Sequence, residues 1–252
     1  DQCSGKRDRA PELPRQPKGQ THPPGVWGTK VMTPPVTTTT GRFISFEGGE
    51  GAGKSTQSRL LCARLENHGI ETLATREPGG SPGAEHIRNL LVSGAVGRWE
   101  PLTEALLHNA ARRDHLQRVI LPALTRGVWV ISDRFADSTL AYQGYGQGVA
   151  HEKLNQMRDL AVGDAMPELT LMLDISVADG FARTHSRADE TSRYEKMNSA
   201  MHERLRQGFL AIAADEPERC RVLSAAADAD NVHQLIWQSV CERFVEDARL
   251  NG

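Results

Sequence analysis

The stretch Phe43-Ile44-Ser45-Phe46-Glu47-Gly48-Gly49-Glu50-Gly51-Ala52-Gly53-Lys54-Ser55 decides the reading of this chain. Its first four residues have the apolar and aromatic character of a short strand, and glycines follow directly. Gly48 to Ser55 fits G-x4-G-K-[ST], with a helix opening at the lysine. Such glycines let the backbone fold into a ring of N–H donors, and the helix N-terminus adds partial positive charge. This is a phosphate loop for a nucleoside triphosphate. Lys54 is expected on the β- and γ-phosphates, the Ser55 hydroxyl on Mg²⁺, and Gly49, Glu50, Gly51, Ala52 and Thr56 complete the cradle.

Outward from the loop, strands alternate with helices. Lys54 to His68 reads as a helix capped by Gly69, with Leu60, Leu61 and Leu65 on one face. Thr72 to Thr75 reads as a strand that runs into the loop Arg76-Glu77-Pro78-Gly79-Gly80. Pro101 to Arg126 has the periodicity of one long helix, and Val128 to Ile131 that of a strand buried on both faces. Leu169 to Leu173 and Arg221 to Leu223 are further strands, and Asp230 to Arg249 carries a helical pattern. The predicted fold is α/β: a parallel sheet of about five strands flanked by helices, with ligands at the strands' carboxyl ends.

Residues 1–40 differ. Seven of the 13 prolines fall here among few large apolar side chains, and the segment cannot bury enough surface to offset the entropy of ordering it. A disordered tail is expected over 1–40 and one domain over 41–252. Met32 is the expected biological start, with the upstream stretch an artefactual extension. The 252 residues carry a net charge of −2, which argues against a basic nucleic-acid binder, and no apolar run approaches a membrane span. Cys3, Cys62, Cys220 and Cys241 show no CxxC spacing and are expected to be reduced thiols of a cytoplasmic protein.

The motif alone leaves motor, switch and kinase open. No NKxD guanine signature is present, and the apolar strand ends in Ser132-Asp133-Arg134-Phe135. An arginine beside the metal-binding aspartate suits a phosphorylated acceptor better than a hydrolytic water. Asp133 is predicted to hold Mg²⁺ and Arg134 to fork onto a phosphate, with Arg76, at the other strand end, completing the clamp. Arg183 to Arg193 reads as an irregular basic segment, a lid over about 183–194 that neutralises the migrating phosphoryl group.

Gly48 to Ser55, Thr75-Arg76-Glu77-Pro78-Gly79-Gly80 and Asp133-Arg134-Phe135 with Ser138-Thr139-Leu140-Ala141-Tyr142-Gln143-Gly144 together closely resemble the bacterial thymidylate kinases. The resemblance runs from about Arg42 to the C-terminus. It implies transfer of the ATP γ-phosphate to dTMP with Mg²⁺, and a homodimer. By this likeness Arg76 and Arg134 hold the dTMP phosphate, and Glu50 contacts the deoxyribose 3′-hydroxyl or the metal shell. Arg112 reads thymine, and Ser138, Tyr142 and Gln143 wall the base and sugar. Gly51 stands where some relatives carry an arginine, which implies a catalytic arginine from the lid: Arg183, Arg187 or Arg193, with Arg187 favoured. His108 occupies the position of the family's thymine-stacking Phe. A kinase for another small acceptor and an ATP-dependent switch are the rival readings.

Overall fold

The computed structural model describes residues 41–185, 194 and 198–251. The expected tail over 1–40, with Met32, and the lid residues Arg187 and Arg193 lie outside the described residues. Among the described residues one parallel sheet contains β1 (Phe43–Gly48), β2 (Thr72–Arg76), β3 (Trp129–Asp133), β4 (Leu169–Asp174) and β5 (Cys220–Ser224), in the order β2-β3-β1-β4-β5. The helices are α1 (Lys54–Asn67), α2 (Pro82–Val92), α3 (Pro101–His115), α4 (Leu121–Thr125), α5 (Ala136–Thr139), α6 (His151–Ala161), α7 (Val177–His185), α8 (Ser199–Asp215) and α9 (Ala229–Arg243).

Alternation along β1 assigns its faces. Ile44 and Phe46 join Leu61 and Leu65 of α1 and Ile236 and Val240 of α9 in one apolar layer. Phe43 points the other way, into a layer with Leu116, Ile120 and Phe135. Ser45 and Glu47 share the parity of Phe43, so a carboxylate is carried to the α3–α5 side at the strand's carboxyl end. Register then sets Arg76 beside Asp133, and Asp133 beside Phe46.

The strands agree with the sequence reading to within a residue or two, while several helices differ. The predicted helix over Pro101–Arg126 is α3 and α4 joined by a π-helical turn at Leu116–Ile120. Pro122 lacks an N–H and crowds the carbonyl four residues earlier, and a wider turn accommodates it. The predicted helix to Arg249 ends at Arg243, because Phe244 leaves the helical path to pack edge-on against Trp129 with centroids 5.0 Å apart. Arg183, read as part of an irregular lid, lies in α7. Helices α2 and α6, and the α5 turn with the π-helical Leu140–Gly146, were not assigned from sequence.

Candidate active site

Gly53, the N-cap of α1, has φ 89° and offers no side-chain cap to the first-turn N–H groups, of which Thr56 N–H turns back onto the Gly53 carbonyl at 3.1 Å. Lys54 Nζ folds back onto the carbonyls of Gly48 (3.2 Å) and Gly49 (2.7 Å). Burial and the nearby Arg134 cation push its pKa down to about 8, against the opposing pull of Glu50, Asp133 and Glu47. Gly51 has φ 72°, and a Cβ there would lie 2.1 Å from the Gly180 carbonyl oxygen of α7. The loop therefore has no room for an arginine at this position.

Ser55 Oγ donates to Asp133 Oδ2, which brings the two expected metal ligands into direct contact. Both are hard oxygen donors, the chemistry Mg²⁺ prefers. Among the described residues no group of three His, Cys, Asp or Glu side chains could hold a metal unaided. The pair suits an ion that keeps phosphate oxygens and water as its other ligands.

Beyond Asp133 the chain turns sharply. Arg134 has φ 72°, the left-handed region, and its guanidinium donates to the Gly48 carbonyl (3.1 Å), Ser138 Oγ (3.1 Å), Glu50 Oε1 (3.0 Å) and Tyr142 OH (3.1 Å). Burial works against its charge, yet the surrounding acidic groups hold its pKa above the usual arginine value. Burial also opposes ionisation of Glu50, but Arg134, Lys54 and the Tyr142 hydroxyl outweigh it and hold the pKa at about 2. Tyr142 OH donates to Glu50 Oε1 at 2.8 Å, and burial raises the phenol's pKa.

Glu47 holds this turn in place. Its Oε1 accepts from the N–H groups of Phe135 (2.7 Å) and Ser138 (3.3 Å), and its Oε2 from Ser138 Oγ (2.6 Å). It has no exposed surface; burial first and Asp137 second raise its pKa to about 7, against Arg134 and its own hydrogen bonds. Sequence reasoning missed Glu47, although a lone carboxylate in an apolar strand was a visible signal.

A cavity of about 540 Å³ runs from Lys54, Ser55 and Thr56 past Arg134 and Tyr142 to Arg112, His108 and Gln143. Arg76 borders it with 53 % of its side chain exposed, paired with Glu85 at 3.1 Å. Arg88 of α2, also missed, borders it as well and donates to the Pro78 carbonyl at 2.7 Å. Arg112 is buried, and its guanidinium serves Glu77 Oε2 (2.7 Å), Asn109 Oδ1 (3.2 Å), the Phe135 carbonyl (3.0 Å) and Thr139 Oγ1 (3.1 Å). The other oxygen of Glu77 meets His115 Nδ1 at 3.1 Å, and His115 Nε2 meets Thr75 Oγ1 at 2.7 Å. His108 Nε2 lies 3.0 Å from the hydroxyl of Tyr194.

The geometry thus gathers Gly48 to Thr56, Arg76, His108, Arg112, Asp133, Arg134, Ser138, Tyr142 and Gln143 around one crevice. Arg183 is elsewhere engaged: its guanidinium donates to the carbonyls of Ala225 (2.8 Å), Ala226 (3.1 Å) and Ala227 (3.3 Å). Among the described residues Cys62, Cys220 and Cys241 are unbridged, and no helix is long and apolar enough to cross a membrane.

Comparison with known proteins identifies the family. The family model described as thymidylate kinase matches residues 46–236. The thymidylate kinase of Caulobacter vibrioides is 52 % identical over 206 residues, covering 82 % of this chain and 99 % of that protein. That of Afipia carboxidovorans is 50 % identical over 206 residues, covering 81 % and 90 %. A crystal structure of thymidylate kinase from Ehrlichia chaffeensis superposes with a TM-score of 0.62 at 36 % identity, covering 80 % of this chain and 98 % of that one. With the Gly48–Ser55 loop and several arginines opening onto one cavity, the chain belongs to the thymidylate kinase family of ATP-dependent nucleoside monophosphate kinases.

Proposed function

We propose that this chain transfers the γ-phosphate of ATP to dTMP, giving dTDP, with Mg²⁺. The observation that carries this reading is the single cavity connecting Lys54 and Ser55 to Arg112 and Gln143. The reaction calls for little covalent chemistry from the protein; positioning and charge stabilisation suffice.

In this reading the loop N–H groups and Lys54 hold the donor's phosphates. Ser55 and Asp133 hold Mg²⁺, which when bound neutralises charge developing on the transferred group. Arg134 and Arg76 clamp the dTMP phosphate. The Arg76–Glu85 pair is exposed and of the kind that contributes little, so Arg76 is released at small cost when a dianion arrives. Glu50 stays ionised at any physiological pH and is placed to accept from the deoxyribose 3′-hydroxyl or a metal-bound water. Tyr142 and Ser138 wall the sugar, and Arg112, Gln143 and His108 take the base. An imidazole at 108 stacks with less area than a phenyl ring but adds hydrogen-bonding capacity.

The crowding of Gly51 against Gly180 supports a catalytic arginine from outside the loop. We assign it to Arg187, with Arg183 and Arg193 on the ATP side, a lid over about 183–194 and the kinase domain over 41–252. A cytoplasmic homodimer and a tail over 1–40 complete the proposal.

A coupled ADP assay across a panel of nucleoside monophosphates tests it. Saturable ADP release with dTMP is the expected result. Release independent of acceptor, or preference for a purine monophosphate, removes the assignment.

A further inference from the structure

Glu104, on α3, has 1 % of its surface exposed. Its Oε1 accepts from Gln143 Nε2 at 2.7 Å, Gln147 Nε2 at 3.3 Å and the Tyr194 hydroxyl at 3.2 Å. A carboxylate oxygen that takes three donors leaves a facing carboxamide one choice: its NH₂ must turn toward Glu104. Gln143 is fully buried and borders the cavity beside Arg112, His108 and Tyr194. Its carbonyl oxygen, Oε1, is buried with no hydrogen-bond partner among the described residues. Buried acceptors are almost always paired, and one kept bare beside a cavity is available for a ligand donor.

We propose that Glu104 is a positioning residue for base specificity. By taking the Gln143 NH₂, it leaves the Gln143 carbonyl oxygen as an acceptor at the base end of the cavity. That acceptor suits a pyrimidine with a ring N–H between two carbonyls, as in thymine and uracil. Cytosine carries a lone pair at the same ring nitrogen, and two acceptors facing each other would remain unpaired. A site built to meet a ring N–H rejects the analogue lacking it far more strongly than an apolar pocket can. With the amide reversed, Gln143 would offer NH₂ and the preference would invert. This inference rests on the acceptor assignment above, and adds to it the residue that decides which pyrimidine is read.

The test is Glu104→Gln, a nearly isosteric change that leaves Gln143 free to adopt either amide orientation. The ratio of kcat/KM for dTMP over dCMP should fall by about 10-fold or more. KM for ATP and the melting temperature should stay near the parent values. In the second variant, Glu104→Gln is combined with Gln143→Glu, so position 143 again offers only an acceptor, and selectivity for dTMP over dCMP should return. An unchanged ratio in Glu104→Gln overturns the proposal. So does a loss shared equally by dTMP, dCMP and ATP together with a lowered melting temperature, or a double variant whose ratio does not recover. A parent chain that phosphorylates no pyrimidine monophosphate removes the acceptor assignment itself, and this inference with it.

Discussion

Arg134 Nη2 donates to Glu50 Oε1 at 3.0 Å, so the cation at the end of β3 and the anion within the phosphate loop neutralise each other in the free chain. Both side chains are largely buried, at 15 % and 19 % exposure, and Tyr142 OH bonds to both. In the function proposed above, the pair joins the ATP side of the crevice to the dTMP side. An incoming phosphate dianion can share the guanidinium without any new cation having to be buried.

Replacing Arg134 with Ala should therefore affect the acceptor most. A charge-assisted clamp of this kind is worth on the order of 100-fold or more in kcat/KM for dTMP. Steady-state kinetics with each substrate varied in turn provides the check. An ATP KM that rises as much as the dTMP KM would place Arg134 on the donor side instead.

Lys54 should set the pH behaviour of ATP binding. Its pKa of about 8 in the free chain lies below the ordinary lysine value, and a bound polyphosphate favours the charged form. Binding at pH 8 should then take up about half a proton, and affinity should weaken as the pH rises further. Calorimetry in buffers of different ionisation enthalpy reads this uptake directly. Lys54→Ala should abolish the uptake and cut turnover by orders of magnitude with the fold intact; the same uptake in that variant would assign the proton elsewhere.

Glu47 makes a stability prediction with a definite sign. Its folded pKa of about 7 lies above the unfolded value near 4.5, so the folded chain binds the extra proton between them. The penalty for ionising Glu47 is absent below about pH 4.5, grows through this window and is complete above pH 7, reaching roughly 3 kcal/mol. Glu47→Gln can still accept from both N–H groups and donate to Ser138 Oγ, and should gain stability relative to the parent as pH rises from 5 to 7.5. Denaturant titrations at several pH values decide it, and a constant difference between the two chains contradicts the raised pKa. Glu47→Ala, by contrast, leaves the 133–138 turn unsupported and should raise the dTMP KM.

The two arginines near the lid should separate cleanly. Arg187→Ala is expected to lower kcat with little change in either KM. Arg183→Ala removes the ties to the carbonyls of Ala225, Ala226 and Ala227, and should lower the melting temperature. A kcat loss confined to Arg183→Ala would transfer the catalytic role to that residue.

The chain's local pattern was enough for the strand–loop–helix from Phe43 to Asn67, because tight-turn glycines, a lysine and a capless helix start are all short-range features. Arg76 and Arg134 were legible for the same reason: each closes a strand, and parallel strands end on one side. Helix ends were not, since Pro122 widens a turn and Phe244 leaves its helix to reach Trp129, and both answers depend on what packs nearby. Glu104, His108 and Arg112 recur every four residues along α3, a stripe that could have drawn attention to Glu104.

By itself, then, the sequence determined the sheet, the phosphate loop and the arginines at its edge, all of which follow from hydrophobic period and backbone chemistry within a few residues. Only the tertiary structure decided that Glu47 braces the Arg134 turn from 88 residues away, that Glu77 and His115 secure Arg112, and that Arg183 starts from a helix, α7, rather than from irregular chain. Those roles come from buried polar groups finding partners far along the chain, and burial is a property of the packed fold that no local pattern encodes.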